Sequence, residues 1–227
     1  MTFNLERAAL KDSQIHEVIE KLTVAAREWN VPIVTDITRR RRDPFKVLIA
    51  TVLSLRTKDE TTAEAAERLF NEAATPEKMI QLSAEQIAEL IYPVGFYKTK
   101  AENILDICRR LIDEYGARVP DDLEELLKFN GVGRKTANLV VTLGYGKPGI
   151  CVDTHVHRIS NRLGYVRTRS PKETEFALRE KLPPRYWIVY NDLMVAFGQN
   201  LCKPISPFCS KCPLNHLCSQ LGVKRSR

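Results

Sequence analysis

The chain reads as all-α. Three observations predict this. Apolar residues recur at helical spacing in segment after segment, a capping side chain or a proline stands ahead of most of them, and no sustained strand alternation intervenes. At 227 residues the chain is long enough to bury a core without disulfide staples.

Between Ser13 and Trp29, the residues Ile15, Val18, Ile19, Leu22, Ala25, Ala26 and Trp29 keep helical spacing, and Pro32 ends the pattern, which predicts a first amphipathic helix. The run Arg39-Arg40-Arg41-Arg42 follows. As charge alone it suits a solvated linker and a phosphate-contacting edge equally well. Asp43-Pro44 supplies a helix start with proline at the first helical position, and Phe45 to Leu55 is apolar enough for a central buried helix. Thr57 with Glu60, Thr75-Pro76, Ser83 with Gln86, and Ser170-Pro171 with Glu173 each set a side-chain acceptor or a proline ahead of helical periodicity. From Lys98 to Tyr115, the residues Ala101, Ile104, Leu105, Cys108, Leu111, Ile112 and Tyr115 share one side. Cys108 therefore reads as a core thiol and Gly116 as the C-terminal cap.

Two further helical patterns, Leu123 to Phe129 and Thr136 to Leu143, are joined by Asn130-Gly131-Val132-Gly133, a connection short enough to require a tight helical hairpin. Gly131 and Gly133, without Cβ atoms, allow positive φ and close approach by another backbone. The amides opening the next helix offer a site for an anion such as phosphate. A lone Gly-x-Gly would do no more than close a turn between helices. Gly144 to Gly149 then breaks the helix, and helices from Thr154 to Leu163, Pro171 to Leu182 and Arg185 to Phe197 follow, the last two separated by Pro183-Pro184. Lys224-Arg225-Ser226-Arg227 reads as a frayed basic tail.

Lysine and arginine exceed aspartate and glutamate by 35 to 28, a net charge of +7 that suits an acidic partner. No apolar run reaches the length of a membrane span, and the start lacks the apolar core of a signal peptide. The expected location is intracellular, cytoplasmic or nucleoid, where clustered cysteines are metal ligands rather than disulfides. Cys202, Cys209, Cys212 and Cys218 are separated by six, two and five residues in a segment that also holds Pro204, Pro207 and Pro213. Four sulfur ligands suit either structural zinc or an iron-sulfur cluster, and His216 within the segment keeps a zinc alternative open. Lys203 and Lys211 in the same loop offer charges to phosphates. Cys151 lies outside the set and reads as a packed thiol.

Read together, Phe129-Asn130-Gly131-Val132-Gly133-Arg134-Lys135-Thr136-Ala137 and Val152-Asp153-Thr154-His155 resemble the motif of the helix-hairpin-helix, Gly-Pro-Asp DNA glycosylases, and most closely the endonuclease III family. Asn130 stands where that family usually has proline, and Phe129 where it usually has leucine. The resemblance runs from about Phe45 to Cys218. It implies a six-helix domain over residues 37–149, and an iron-sulfur domain built from residues 1–36 and 150–227 whose four cysteines hold a 4Fe-4S cluster. It also implies a monomer acting on double-stranded DNA containing damaged bases or abasic sites. The implied activity is that of a bifunctional glycosylase and abasic-site lyase that removes oxidised pyrimidines in base excision repair and cleaves the strand by β-elimination.

By the same resemblance, Lys135 is the nucleophile at the sugar C1′ and Asp153 its carboxylate partner, while Gly131, Val132, Gly133 and Arg134 grip the DNA backbone. Arg56 occupies a position, commonly glutamine, that fills the gap left by an extruded base, and Phe96 matches an apolar wedge against the opposite strand. Each residue also has a plainer reading: Lys135 as a phosphate contact, Asp153 as the N-cap of the helix at Thr154, Arg56 as a surface arginine, Phe96 as a core aromatic. A monofunctional mismatch or uracil-type glycosylase on this fold would attack with water and carry no lysine here. A non-catalytic helix-hairpin-helix DNA-binding protein would need no carboxylate at position 153.

Overall fold

A computed structural model describes residues 8–29 and 42–227, and no strand occurs among them. In chain order the α-helices are α1 (Ile15–Ala25), α2 (Pro44–Ser54), α3 (Asp59–Glu72), α4 (Pro76–Met79), α5 (Ala84–Ile91), α6 (Tyr97–Tyr115), α7 (Leu123–Leu126), α8 (Arg134–Leu139), α9 (Thr154–Arg162), α10 (Pro171–Lys181) and α11 (Trp187–Asn200). The chain divides into two compact units, Pro32–Gly149 and Met1–Val31 with Ile150–Arg227. The boundary expected near residue 36 and the residues Arg39, Arg40 and Arg41 lie outside the described residues.

Among the described residues of Pro32–Gly149 the most buried helix is α2. Asp43 caps it, accepting a hydrogen bond from the Lys46 amide at 3.0 Å, and Pro44 opens it without wasting a donor. Phe45 and every residue from Val47 to Leu53 are buried, so this helix has no solvent face. Even Thr51 is accommodated, because its hydroxyl donates to the Val47 carbonyl at 2.7 Å. Burial of each such Leu, Ile or Val side chain stabilises the unit by roughly 1.5–3 kcal/mol. Helices α3, α6 and α8 contact α2 directly, and α5 packs against both α3 and α6. The predicted Ser83–Gln86 capping box is present at the start of α5, with reciprocal bonds of 3.2 and 2.8 Å. α6 ends where expected, at Gly116 in the left-handed region with φ 58°. Cys108 on α6 is fully buried, and burial pushes its thiol up to about 12.

The helix after the hairpin does not stop at Leu143. From Val140 to Gly144 it widens into a π turn, in which the Thr142 hydroxyl donates to the Asn138 carbonyl at 2.8 Å. Gly144 permits this, since a Cβ there would fall 3.0 Å from the Pro44 Cα at the start of α2. The side chain of Arg42 lies against the next turn, at Gly146.

The other unit centres on α9, flanked by α10 and α11, with α1 packed on α11. Its core joins Ile15, Val18, Ile19 and Leu22 of α1 to Val156, Ile159, Leu178, Tyr190 and Met194. The expected first helix runs as a 3-10 turn at Asp12–Gln14, α1 itself, and a second 3-10 turn at Ala26–Glu28 that carries Trp29 into a stack on Phe197. Pro184–Tyr186 forms another 3-10 turn before α11, so the pattern read from Arg185 belongs to two elements. After α11 the loop-rich segment contains one further 3-10 turn, Cys209–Lys211. The tail is not frayed as expected. The Arg227 amide donates to the Pro207 carbonyl at 2.8 Å, the Ser210 amide donates back to the Arg227 carbonyl at 3.0 Å, and the Arg227 guanidinium lies 4.2 Å from the Phe208 ring centre.

Candidate active site

The hairpin is built on α6. α7 is a single turn capped by Asp122, which accepts from the amides of Glu124 and Glu125, and the predicted helix to Phe129 gives way after Leu126 to successive tight turns. Arg110 fastens those turns. Its Nη1 donates to the Lys128 carbonyl at 2.6 Å, and its guanidinium lies 5.0 Å from the Phe129 ring centre. The pairing with Glu114 raises the arginine's pKa further. Asn130 donates to the Asp106 carboxylate at 2.9 Å, so where a proline would stiffen the loop this residue tethers it to α6.

Gly131 has φ 77°, a conformation that calls for glycine, and a Cβ on it would fall 2.9 Å from the tip of the Asn103 side chain, which would have to shift. Gly133 corrects the expectation. Its φ of −96° and ψ of 176° are open to any residue, and no atom lies within 4 Å of a Cβ placed there. What glycine gives at 133 is open space on the outside of the loop. Val132 between them is buried and anchors the turn.

α8 begins directly after Gly133, and Lys135 stands half-buried in its first turn. Arg134 beside it lies 3.5 Å from Glu124. In the other unit, Asp153 is the N-cap of α9, its Oδ1 accepting from the Val156 amide at 2.8 Å. The plainer reading of Asp153 is thus realised in the fold.

Arg56 and Phe96 are brought together. Both hold left-handed backbone, φ 54° and 59°, which costs a non-glycine residue of order 1–2 kcal/mol. The Arg56 guanidinium sits 5.5 Å from the Phe96 ring centre, and Phe96 is 63% exposed, which rules out the core-aromatic reading. Thr57, expected to cap α3 with Glu60, does not cap it; Lys58 takes the N-cap position. The Thr57 hydroxyl instead accepts from the Gly95 amide at 3.2 Å and from Lys100 Nζ at 3.3 Å, joining the loop of Arg56 to the loop of Phe96.

All four clustered cysteines line one cavity, walled otherwise by apolar side chains such as Ile159, Phe197, Leu201 and Leu214, and none is in a disulfide. Arg162, only 8% exposed, ties the loop down by donating to Cys202 Sγ at 3.4 Å and to the carbonyls of Lys203 and Pro204 at 2.7 and 2.6 Å. The Gln220 amide donates to Cys218 Sγ at 3.3 Å. Burial, with added repulsion from the other cysteines, pushes the Cys212 thiol up to about 12. His216 does not line the cavity; its Nε2 lies 3.0 Å from Glu17 Oε1. Lys211 is exposed and Lys203 half-buried at the rim of the same loop.

Residues 49–184 match the sequence profile of the HhH-GPD superfamily of base excision DNA repair proteins. The chain belongs to this family. It is 52% identical over 179 residues to endonuclease III of Thermotoga maritima, covering 79% of this chain and 84% of that one. It is 40% identical over 186 residues to endonuclease III of Bacillus subtilis, covering 82% and 84%. Among solved structures it is similar to a trapped endonuclease III–DNA covalent intermediate, with a TM-score of 0.82 and 40% identity over 92% of this chain and 96% of that one. Within the HhH-GPD family the chain is of the endonuclease III kind, a bifunctional DNA glycosylase and abasic-site lyase of base excision repair. No helix among the described residues is long and apolar enough to cross a membrane.

Two further residues, not evident from motif or charge pattern, shape these sites. Lys100 continues the apolar stripe of Ile104, Ile107 and Leu111 backwards by one turn, and Arg162 follows Ile159 at a spacing of three. In each case the signal was a cation standing where helical periodicity asks for a buried residue.

Proposed function

We propose that the protein removes oxidised pyrimidines from duplex DNA with Lys135 as nucleophile and Asp153 as the carboxylate that assists it. The observation carrying this reading is the position of Lys135. It is half-exposed in the first turn of α8, immediately after a hairpin that α6 holds by Arg110 and Asp106. The hairpin amides around Gly131, Val132, Gly133 and Arg134 hold phosphates, and the open space outside Gly133 lets a strand come close.

The Lys135 amine attacks C1′ as the C1′–N bond to the base breaks, and the departing base takes up a proton. Opening of the C1′–O4′ bond, with O4′ taking up a proton, turns the amine adduct into an iminium that acidifies a C2′ proton; its loss expels the 3′ phosphate by β-elimination, and hydrolysis of the imine returns the amine. Asp153 would stabilise positive charge building on the sugar and accept a proton from the attacking amine. Its Oδ1 is engaged by the Val156 amide, which fixes the side chain's orientation. Arg56 and Phe96 enter the stack where the base is extruded, and Lys203 and Lys211 contact phosphates.

Cys202, Cys209, Cys212 and Cys218 hold a 4Fe-4S cluster in this reading. In support, the four thiols line one cavity otherwise walled mostly by apolar side chains. When bound, a cluster with four cysteine ligands cross-links the loop and leaves the chemistry to Lys135. On this reading residues 1–36 and 150–227 form the cluster's domain and 37–149 the hairpin's, and the protein acts inside the cell as a monomer.

The test is single-turnover excision from duplexes carrying one oxidised pyrimidine, one oxidised purine, one mismatch or one abasic site. Excision of the oxidised pyrimidine with strand cleavage, and cleavage at the abasic site, are expected. Excision confined to the mismatch, without strand cleavage, would overturn the reading.

A further inference from the structure

Lys100 is a buried amine that the reaction above does not use. It is 5% exposed, one turn into α6, and its Nζ donates to the carbonyls of Leu53 at 2.7 Å and Leu55 at 2.6 Å and to the Thr57 hydroxyl at 3.3 Å. Three acceptors converge there because α2 ends at Ser54 and leaves its last carbonyls without helical partners. An ammonium brings three donors to them and complements the negative end of α2. Its position in the first turn of α6 and its burial both work against the charge, and burial lowers its pKa to about 8.

The same contacts set the geometry of Arg56 and Phe96. The Thr57 hydroxyl takes bonds from both Lys100 and the Gly95 amide, and a Cβ on Gly95 would fall 2.7 Å from the Arg56 carbonyl oxygen. The two loops are therefore in backbone contact immediately above the amine. On the outer side, Arg68 donates to the carbonyls of Leu90 at 2.8 Å and Tyr92 at 2.6 Å, which fixes the entry to the Phe96 loop. Neither left-handed residue is stable in that conformation by itself, so the pair holds its shape through what lies beneath it.

We propose that Lys100 is a positioning residue that locks the Arg56 and Phe96 loops into one rigid wedge, so that both side chains enter the duplex together when a base is extruded. The proposal rests on the assignment of Arg56 and Phe96 as the wedge. Extruding a stacked base breaks stacking on both strands, and two loops moving independently would fill the gap only part of the time.

The experiment uses full-length protein and duplexes with an oxidised pyrimidine, or a preformed abasic site, and 2-aminopurine on the strand opposite. Lys100→Met and Thr57→Val should each lower single-turnover excision by about tenfold to a hundredfold and suppress the 2-aminopurine fluorescence rise that reports unstacking. β-Elimination at the abasic site, where no base has to leave the stack, should be largely kept. The double variant should lose no more than the worse single one, because both substitutions break the same junction. A full fluorescence rise and full excision in both variants would overturn the proposal. So would a parallel loss of excision, β-elimination and melting midpoint, which would make Lys100 an ordinary structural residue. Arg56→Ala and Phe96→Ala separate the two layers: if both keep the fluorescence rise, the wedge assignment itself fails, whatever Lys100 does.

Discussion

Lys100 carries a pH signature opposite to that of a paired surface lysine. Its folded pKa is lowered from the ordinary 10.5 to about 8 by burial. Between those values the unfolded chain keeps the proton while the folded chain has lost it, so the unfolded state binds more protons and stability rises with pH through that window. Below the folded pKa the full penalty of the buried charge is present. Wild-type protein should thus gain on Lys100→Met by on the order of 1 kcal/mol between about pH 7 and about pH 10, discounted for the three acceptors that stabilise the ammonium. Urea midpoints of both proteins at the two pH values check this; a gap that stays constant or shrinks would contradict it. The hairpin ahead of Lys135 and the N-cap at Asp153 were legible because each rests on a short local pattern. Lys100 was not, because its three acceptors lie more than forty residues away, and only the fold shows that an apolar stripe ends on an amine.

At the scale of elements, the two glycines of the hairpin separate folding from binding. Gly131→Ala forces a side chain into left-handed backbone against Asn103 and should cost of order 1–2 kcal/mol of stability. Gly133→Ala meets nothing and has ordinary dihedrals, so its melting midpoint should move little while affinity for undamaged duplex falls. Thermal melts beside duplex-binding isotherms distinguish the two, and equal effects of both substitutions on stability would contradict the assignment. The cysteine loop makes a separate prediction: purified protein is brown, contains iron and acid-labile sulfide, and in Cys202→Ser loses both together with order after α11. Colourless protein holding one zinc would refute it. Helix positions were largely readable from periodicity and capping. The misreadings fell where tertiary contacts override local signals: Thr57 is drawn away from its cap by Gly95 and Lys100, the π turn is shaped by Pro44 against Gly144, and the basic tail is held by Pro207 and Phe208.

Over the whole molecule, both units divide their work among a few long-range contacts on ordinary helical cores. In Pro32–Gly149, α6 supports two separate features, with Lys100 under the loops of Arg56 and Phe96 and Asp106 and Arg110 under the hairpin. In the other unit, α9 carries Asp153 at its start and Arg162, which braces the cysteine loop, at its end. The net charge of +7 suits the phosphate backbone without choosing a lesion. In the proposed mechanism one amine releases the base and then opens the strand. Borohydride reduction of the reaction on a duplex with one oxidised pyrimidine tests it directly, because only an imine between protein and deoxyribose is converted to a stable covalent complex. A trapped complex is expected with wild-type protein and none with Lys135→Gln, which should still bind the duplex. A complex that survives in Lys135→Gln, or that fails to form with wild-type protein, would contradict it.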